Sequence, residues 1–89
     1  MIHRQVTVTD PAGVHAQTAQ ELVLLAKSFS SSIFLRQAGR TATLREPIGI
    51  LALALPYGAT VEVWADGSDE HDALAAVAAH LASSSEQGR

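Results

Sequence analysis

His15 is the side chain best placed to do chemistry in this 89-residue chain. It sits in Gly13-Val14-His15-Ala16-Gln17-Thr18-Ala19, where a glycine turn gives way to an amphipathic helix. Small and apolar residues follow at Ala16, Ala19, Leu22, Val23 and Ala26, the recurrence of one helix face. Gly13 breaks whatever precedes it. His15 therefore falls at or beside the helix N-cap, and Val14 can staple onto Ala19 across the first turn. The first backbone N–H groups of a helix lack internal partners and lie at the positive end of its dipole. That field favours a neutral, nucleophilic imidazole, and the same N–H groups make an anion site. A nucleophilic nitrogen beside an anion site suits accepting a phosphoryl group and holding it. The plain alternative is a surface histidine that merely begins a helix.

Other chemistry is sparse. His3 falls in a predicted strand, and His71 and His80 fall in the last helix without sharing a metal-binding face. Asp66, Asp69, Glu70 and Asp72 lack the ligand spacing of a calcium loop and fit a helix cap better. The serines between 28 and 32 form a polar link rather than a nucleophile elbow. No glycine-rich phosphate loop is present. No cysteine occurs, which excludes a disulfide framework and a thiolate metal site. Neither a metal nor a cofactor is expected. The net charge of -3, with no Lys/Arg cluster, disfavours nucleic-acid binding. The N-terminus lacks the basic and apolar regions of a signal peptide. The longest apolar stretch, residues 48–55, falls short of the roughly 20 residues that span a bilayer. A cytoplasmic location is the expectation.

The elements that must position His15 follow from periodicity. Residues 2–8 alternate, with Ile2, Val6 and Val8 on one side and His3, Gln5 and Thr7 on the other; Arg4 interrupts the apolar side. This is a half-buried strand. Residues 9–13 are rich in turn formers. The helix from Ala16 runs to about Lys27, a residue that suits its C-terminal end. Strands at 32–36 and 40–44 flank Gln37-Ala38-Gly39 as a hairpin, the second strand weakly apolar as on an edge. Glu46-Pro47 opens a second helix, with Ile48, Leu51, Ala52 and Leu55 recurring at helical spacing and Pro56-Tyr57-Gly58 as its stop. A strand at 60–65 turns Val61, Val63 and Ala65 inward. The last helix buries Leu74, Val77, Ala78 and Leu81.

Apolar residues make up 47% of the chain, enough for one core and too short a chain for two. Residues 1–83 are read as one domain and 84–89 as a frayed polar tail. The order β-α-β-β-α-β-α, with short connections, predicts an α+β fold: a two-layer open-faced sandwich. Its four-stranded antiparallel sheet carries three helices on one face. The other face is open to water at Gln5, Thr7 and Glu62. Trp64 is the exception there, either a partly covered aromatic or a partner contact.

Gly13-Val14-His15-Ala16 resembles the Gly-Leu-His-Ala motif of the HPr family, the histidine phosphocarriers of the bacterial phosphotransferase system. Gly67-Ser68-Asp69-Glu70, followed by Ala73-Leu74, resembles the family's Gly-x-Asp-Glu-x-x-Ala-Leu signature. Gly39, Ile48-Gly49 and Gly58 also fall where the family's pattern has them, and the likeness spans nearly the whole chain. The resemblance implies that His15 accepts a phosphoryl group at Nδ1 from phosphoenolpyruvate-charged enzyme I. His15 then passes the group to a histidine of a sugar-specific IIA component. The first-turn groups of Ala16, Gln17 and Thr18 would hold the phosphate. Pro47, Ile48 and Leu51 become candidate contacts for enzyme I and IIA proteins, with core packing the alternative for Ile48 and Leu51. A transcriptional regulator is a further candidate partner, and a monomer is implied. Such a protein is a carrier and not a free-standing enzyme.

Two positions depart from the family pattern. Where the family has Arg-Pro after His-Ala, this chain has Gln17-Thr18. Gln17 retains a donor amide but not the guanidinium fork, and Thr18 supplies a hydroxyl and a backbone N–H. Neutral donors would then partly replace the arginine. The family's regulatory serine position holds Glu46. Glu46 cannot be phosphorylated there; it either favours the helix start or stands in, with one negative charge, for phosphoserine. These departures keep a second function open, an HPr-like regulatory binding protein with weak or no phosphotransfer. An unrelated two-layer ligand-binding module is supported only by the element order.

Overall fold

The computed structural model describes residues 1–87. Its elements follow the expected order: β1 (Ile2–Thr7), α1 (Ala16–Ala26), β2 (Ser32–Gln37), β3 (Arg40–Thr43), α2 (Pro47–Ala52), β4 (Thr60–Asp66) and α3 (Glu70–Gln87). The strands form one antiparallel sheet in the order β1-β4-β2-β3. β4 is an inner strand because its alternation is the cleanest: Val61, Val63 and Ala65 are all buried. They face Val6 of β1 on one side and Leu35 and Ile33 of β2 on the other. α3 packs over β1 and β4, α2 over β3, and α1 against both α2 and α3. Leu22, Leu35, Leu44, Ile50 and Val77 fill the space between the layers.

The hairpin β2–β3 closes through Ala38 and Gly39, which have φ of 53° and 79°. Positive φ at both central residues is the geometry whose twist matches that of paired strands. Asp69 ties the start of α3 to the α1–β2 link. Its carboxylate accepts from the Ser30 amide at 2.9 Å, the Ser31 amide at 3.0 Å and the Ser31 hydroxyl. On the open face Trp64 stacks between His3, at 4.1 Å between ring centroids, and Phe34, at 5.9 Å. Its indole N–H donates to Glu62 at 3.0 Å. Trp64 is thus a partly covered aromatic, sheltered by its own sheet neighbours.

The helices differ from expectation in phase and extent. α2 ends at Ala52, and Ile50 is its buried residue. Ile48, Leu51 and Ala52 lie outward, while Leu53 and Leu55 enter the core from beyond the helix. The reason is Ala54, whose φ of 53° turns the chain out of the helix and breaks the spacing that would link Ile48 to Leu55. In α1 the buried face comprises Thr18, Ala19, Leu22 and Val23, with Ala16 exposed and Ala26 only partly covered. α3 extends to Gln87, into the stretch read as a polar tail from 84 to 89. The remainder of that tail, residues 88 and 89, lies outside the described residues.

Candidate functional site

The site is built on the loop between β1 and α1. Gly13 has φ of 72°, and a β carbon on it would lie 2.6 Å from the Leu55 carbonyl oxygen and 2.9 Å from Pro56 Cα. Only glycine fits so close a backbone approach at that φ. The neighbouring Val14 amide donates to the same Leu55 carbonyl at 2.8 Å. Asp10 holds the loop from its other end. Its Oδ1 accepts from the Ala12 amide at 2.9 Å, and its carbonyl accepts from the Gly13 amide at 2.8 Å.

His15 is the N-cap of α1, with extended φ of -111° and ψ of -175°. Its carbonyl already accepts from the Ala19 amide at 2.9 Å. Its imidazole is 44% exposed and does not cap the helix by a side-chain hydrogen bond. The amides of Ala16, Gln17 and Thr18 therefore stand at the open start of the helix beside the ring. His15 Nε2 lies 3.3 Å from Thr18 Oγ1 and 3.9 Å from Asp10 Oδ2. Thr18 is buried, so its hydroxyl is fixed in place. Among the described residues Nδ1 has no hydrogen-bond partner.

The two donors expected to substitute for an arginine separate. The Thr18 hydroxyl is at the ring. The Gln17 side chain is instead turned along α1, where its Nε2 donates to Glu21 Oε2 at 3.2 Å. Glu21 Oε1 in turn lies 3.0 Å from His80 Nε2 of α3. Asp10, Thr18, Glu21 and His80 line one small cleft of about 80 Å³ behind the His15 loop. The spacing of Gln17 and Glu21, one helical turn, carries a readable signal in the sequence. The parts played by Asp10 and His80 carry none, because only the docking of the loop and α3 brings them here.

Glu46 is the N-cap of α2, and its carboxylate is folded into the helix start. Oε2 accepts from the Ile48 amide at 3.1 Å and Oε1 from the Gly49 amide at 2.9 Å. Pro47, half-buried, follows at the first helical position. Ile48 is 75% exposed and Leu51 37%, so neither is a core residue. Both stand on the helix that packs against α1. Among the described residues no three His, Asp or Glu side chains gather as a metal site. Nor is any helix among them long and apolar enough to cross a membrane.

A four-stranded sheet ordered β1-β4-β2-β3, with a histidine at the cap of the first helix above it, defines the class of α+β phosphocarrier domains of the phosphotransferase system. The family profile described as PTS HPr component phosphorylation site matches residues 2–83, and the chain belongs to the HPr family. It is 38% identical over 78 residues to the phosphocarrier protein HPr of Lysinibacillus sphaericus, covering 88% of this chain and 89% of that one. The crystal structure of a phosphocarrier protein HPr from Bacillus anthracis superposes with a TM-score of 0.86 at 31% identity, over 90% of this chain and 95% of that one. Crh, the Bacillus subtilis catabolite repression protein with a swapped-domain dimer, superposes with a TM-score of 0.74 at 32% identity, over 91% and 93%.

Proposed function

We propose that the chain is a cytoplasmic phosphocarrier that takes a phosphoryl group from enzyme I on His15 and delivers it to a IIA component. The observation that carries this reading is the setting of the His15 ring: exposed, at the N-cap, with Nε2 occupied and Nδ1 unengaged. In the Nε2–H tautomer that nitrogen donates to Thr18 Oγ1 and faces the Asp10 carboxylate. The lone pair then lies on Nδ1. It attacks phosphorus, the new N–P bond forms as the bond to the donor on enzyme I breaks, and the electron pair leaves with the donor. Transfer onward repeats the step with His15 as the leaving group and a IIA histidine as nucleophile. The amides of Ala16, Gln17 and Thr18 receive the phosphoryl oxygens, as helix starts receive anions. Pro47, Ile48 and Leu51 offer enzyme I and IIA proteins an apolar contact.

The test is incubation with phosphoenolpyruvate and enzyme I, read by intact mass and phosphorus NMR. The expected product is an alkali-stable phosphoryl adduct that is missing in His15→Ala. A folded protein that takes up no phosphoryl group overturns the reading. The regulatory binding protein would then stand in its place, a role favoured by one observation, the engagement of Gln17 with Glu21 away from the ring.

A further inference from the structure

Gln17, Glu21 and His80 form a chain of contacts that runs from the rim of the His15 site to α3. Gln17 Nε2 donates to Glu21 Oε2 at 3.2 Å, and Glu21 Oε1 lies 3.0 Å from His80 Nε2. The two oxygens of one carboxylate thus serve two different elements. A glutamate side chain on a helix surface ordinarily samples several rotamers. Here one carboxylate oxygen of Glu21 is in contact with His80, itself 32% exposed, while the other accepts from Gln17. Gln17 holds the position at which the family pattern places an arginine, so its amide is the side-chain donor nearest in sequence to the phosphoryl site. That amide is committed to a carboxylate one turn further along the helix.

We propose that Glu21, fixed in place by His80, is a positioning residue that parks the Gln17 amide away from His15. The proposal rests on the phosphocarrier reading given above. The unphosphorylated ring offers Gln17 nothing better than the Glu21 carboxylate. A phosphoryl group on His15 brings oxygens of higher charge, and Gln17 must leave Glu21 to donate to them. Loosening Glu21 therefore makes the phosphorylated state easier to reach. Glu21 and His80 touch neither the reacting nitrogen nor the phosphoryl group, and both act through Gln17.

The experiment uses the full chain and the variants Glu21→Ala, His80→Ala and Gln17→Ala, with the two double variants that combine Gln17→Ala with each of the others. Parent and variant share one phosphoryl pool through enzyme I, and intact mass gives the ratio of phosphorylated forms at equilibrium. Glu21→Ala and His80→Ala are expected to shift that ratio about twofold toward the variant, the scale of one exposed side-chain pair a helical turn apart. In the Gln17→Ala background the shift should vanish. A shift that persists there reports only the lost charge of Glu21 or a general loosening of α3, and overturns the proposal. So does no shift in the native background.

A second measurement needs no phosphotransfer. The side-chain amide signals of Gln17 in unphosphorylated protein are expected to move in both Glu21→Ala and His80→Ala. Unmoved signals overturn the parking of Gln17 even where phosphorylation succeeds. Moved signals in a protein that takes up no phosphoryl group leave the parking standing and overturn the phosphocarrier reading instead.

Discussion

The Val14 amide donates to the Leu55 carbonyl at 2.8 Å, fastening the loop that carries His15 to the chain leaving α2. Val14 and Leu55 are both buried, so the bond is shielded from competing water. Ala54, in the left-handed conformation just before Leu55, delivers that carbonyl to the loop. The placement of His15 thus depends on a residue at the far end of another helix.

Replacing Gly13 tests this attachment. Gly13→Ala incurs about 1–3 kcal/mol for the left-handed backbone alone, and its β carbon meets the Leu55 oxygen at 2.6 Å. A lower urea midpoint is expected, together with displaced His15 ring signals in NMR. A variant with parental stability and unchanged ring signals would contradict this account of the loop.

Restoring arginine at position 17 should speed phosphorylation. Hydrogen bonds to charged groups exceed neutral ones by about 1 kcal/mol, or roughly fivefold in rate. Single-turnover transfer from phosphorylated enzyme I to Gln17→Arg measures it. A rate equal to the parent's would show that Gln17 and Thr18 already supply what the arginine would.

Both carboxylate oxygens of Glu46 are bonded to the first amides of α2, the geometry of a helix cap. Glu46→Ala should lose about 1 kcal/mol of stability, while Glu46→Ser, itself a good cap, should lose less. Transfer from enzyme I should run at the same rate in the parent and both variants. A faster rate in both would revive the charge-mimic interpretation.

Acid should weaken the tie between α3 and the α1–β2 link. The Ser31 hydroxyl, then the Ser30 and Ser31 amides, hold the Asp69 carboxyl below its ordinary value of 3.8. A carboxyl depressed by folding contributes its full stability above the unfolded value and loses it as pH falls through the lower, folded one. Urea midpoints of the parent should therefore fall more steeply than those of Asp69→Asn from about pH 4 downward. Parallel acid profiles for the two proteins would show that Asp69 contributes nothing that depends on its charge.

Strands and caps are legible in this sequence, whereas long-range ties are not. Val61, Val63 and Ala65 alternate over one strand, and a period of two leaves a single choice of buried face. His15 is readable as an N-cap because Gly13 stops one element and the spacing of Ala19, Leu22 and Val23 starts another. α2 misleads because it has only six residues, too few for periodicity to fix its face. The apolar residues after it, Leu53 and Leu55, belong to the core without belonging to the helix. Asp69 reads as a simple helix cap, yet its carboxylate reaches Ser30 and Ser31, which lie 39 and 38 residues away. The Glu21–His80 contact spans 59 residues. Such pairings depend on how the layers stack, which local sequence does not encode.

The stack of His3, Trp64 and Phe34 gives the protein a built-in optical gauge. Trp64 is the sole tryptophan, and its ring touches side chains from β1 and β2, the neighbours on either side of its own strand. Its emission responds to any parting of those three strands. His15, on the helix layer, can be altered without touching the indole. Fluorescence from this one ring therefore distinguishes a carrier that has lost its chemistry from one that has lost its fold, in the same cuvette and without a label.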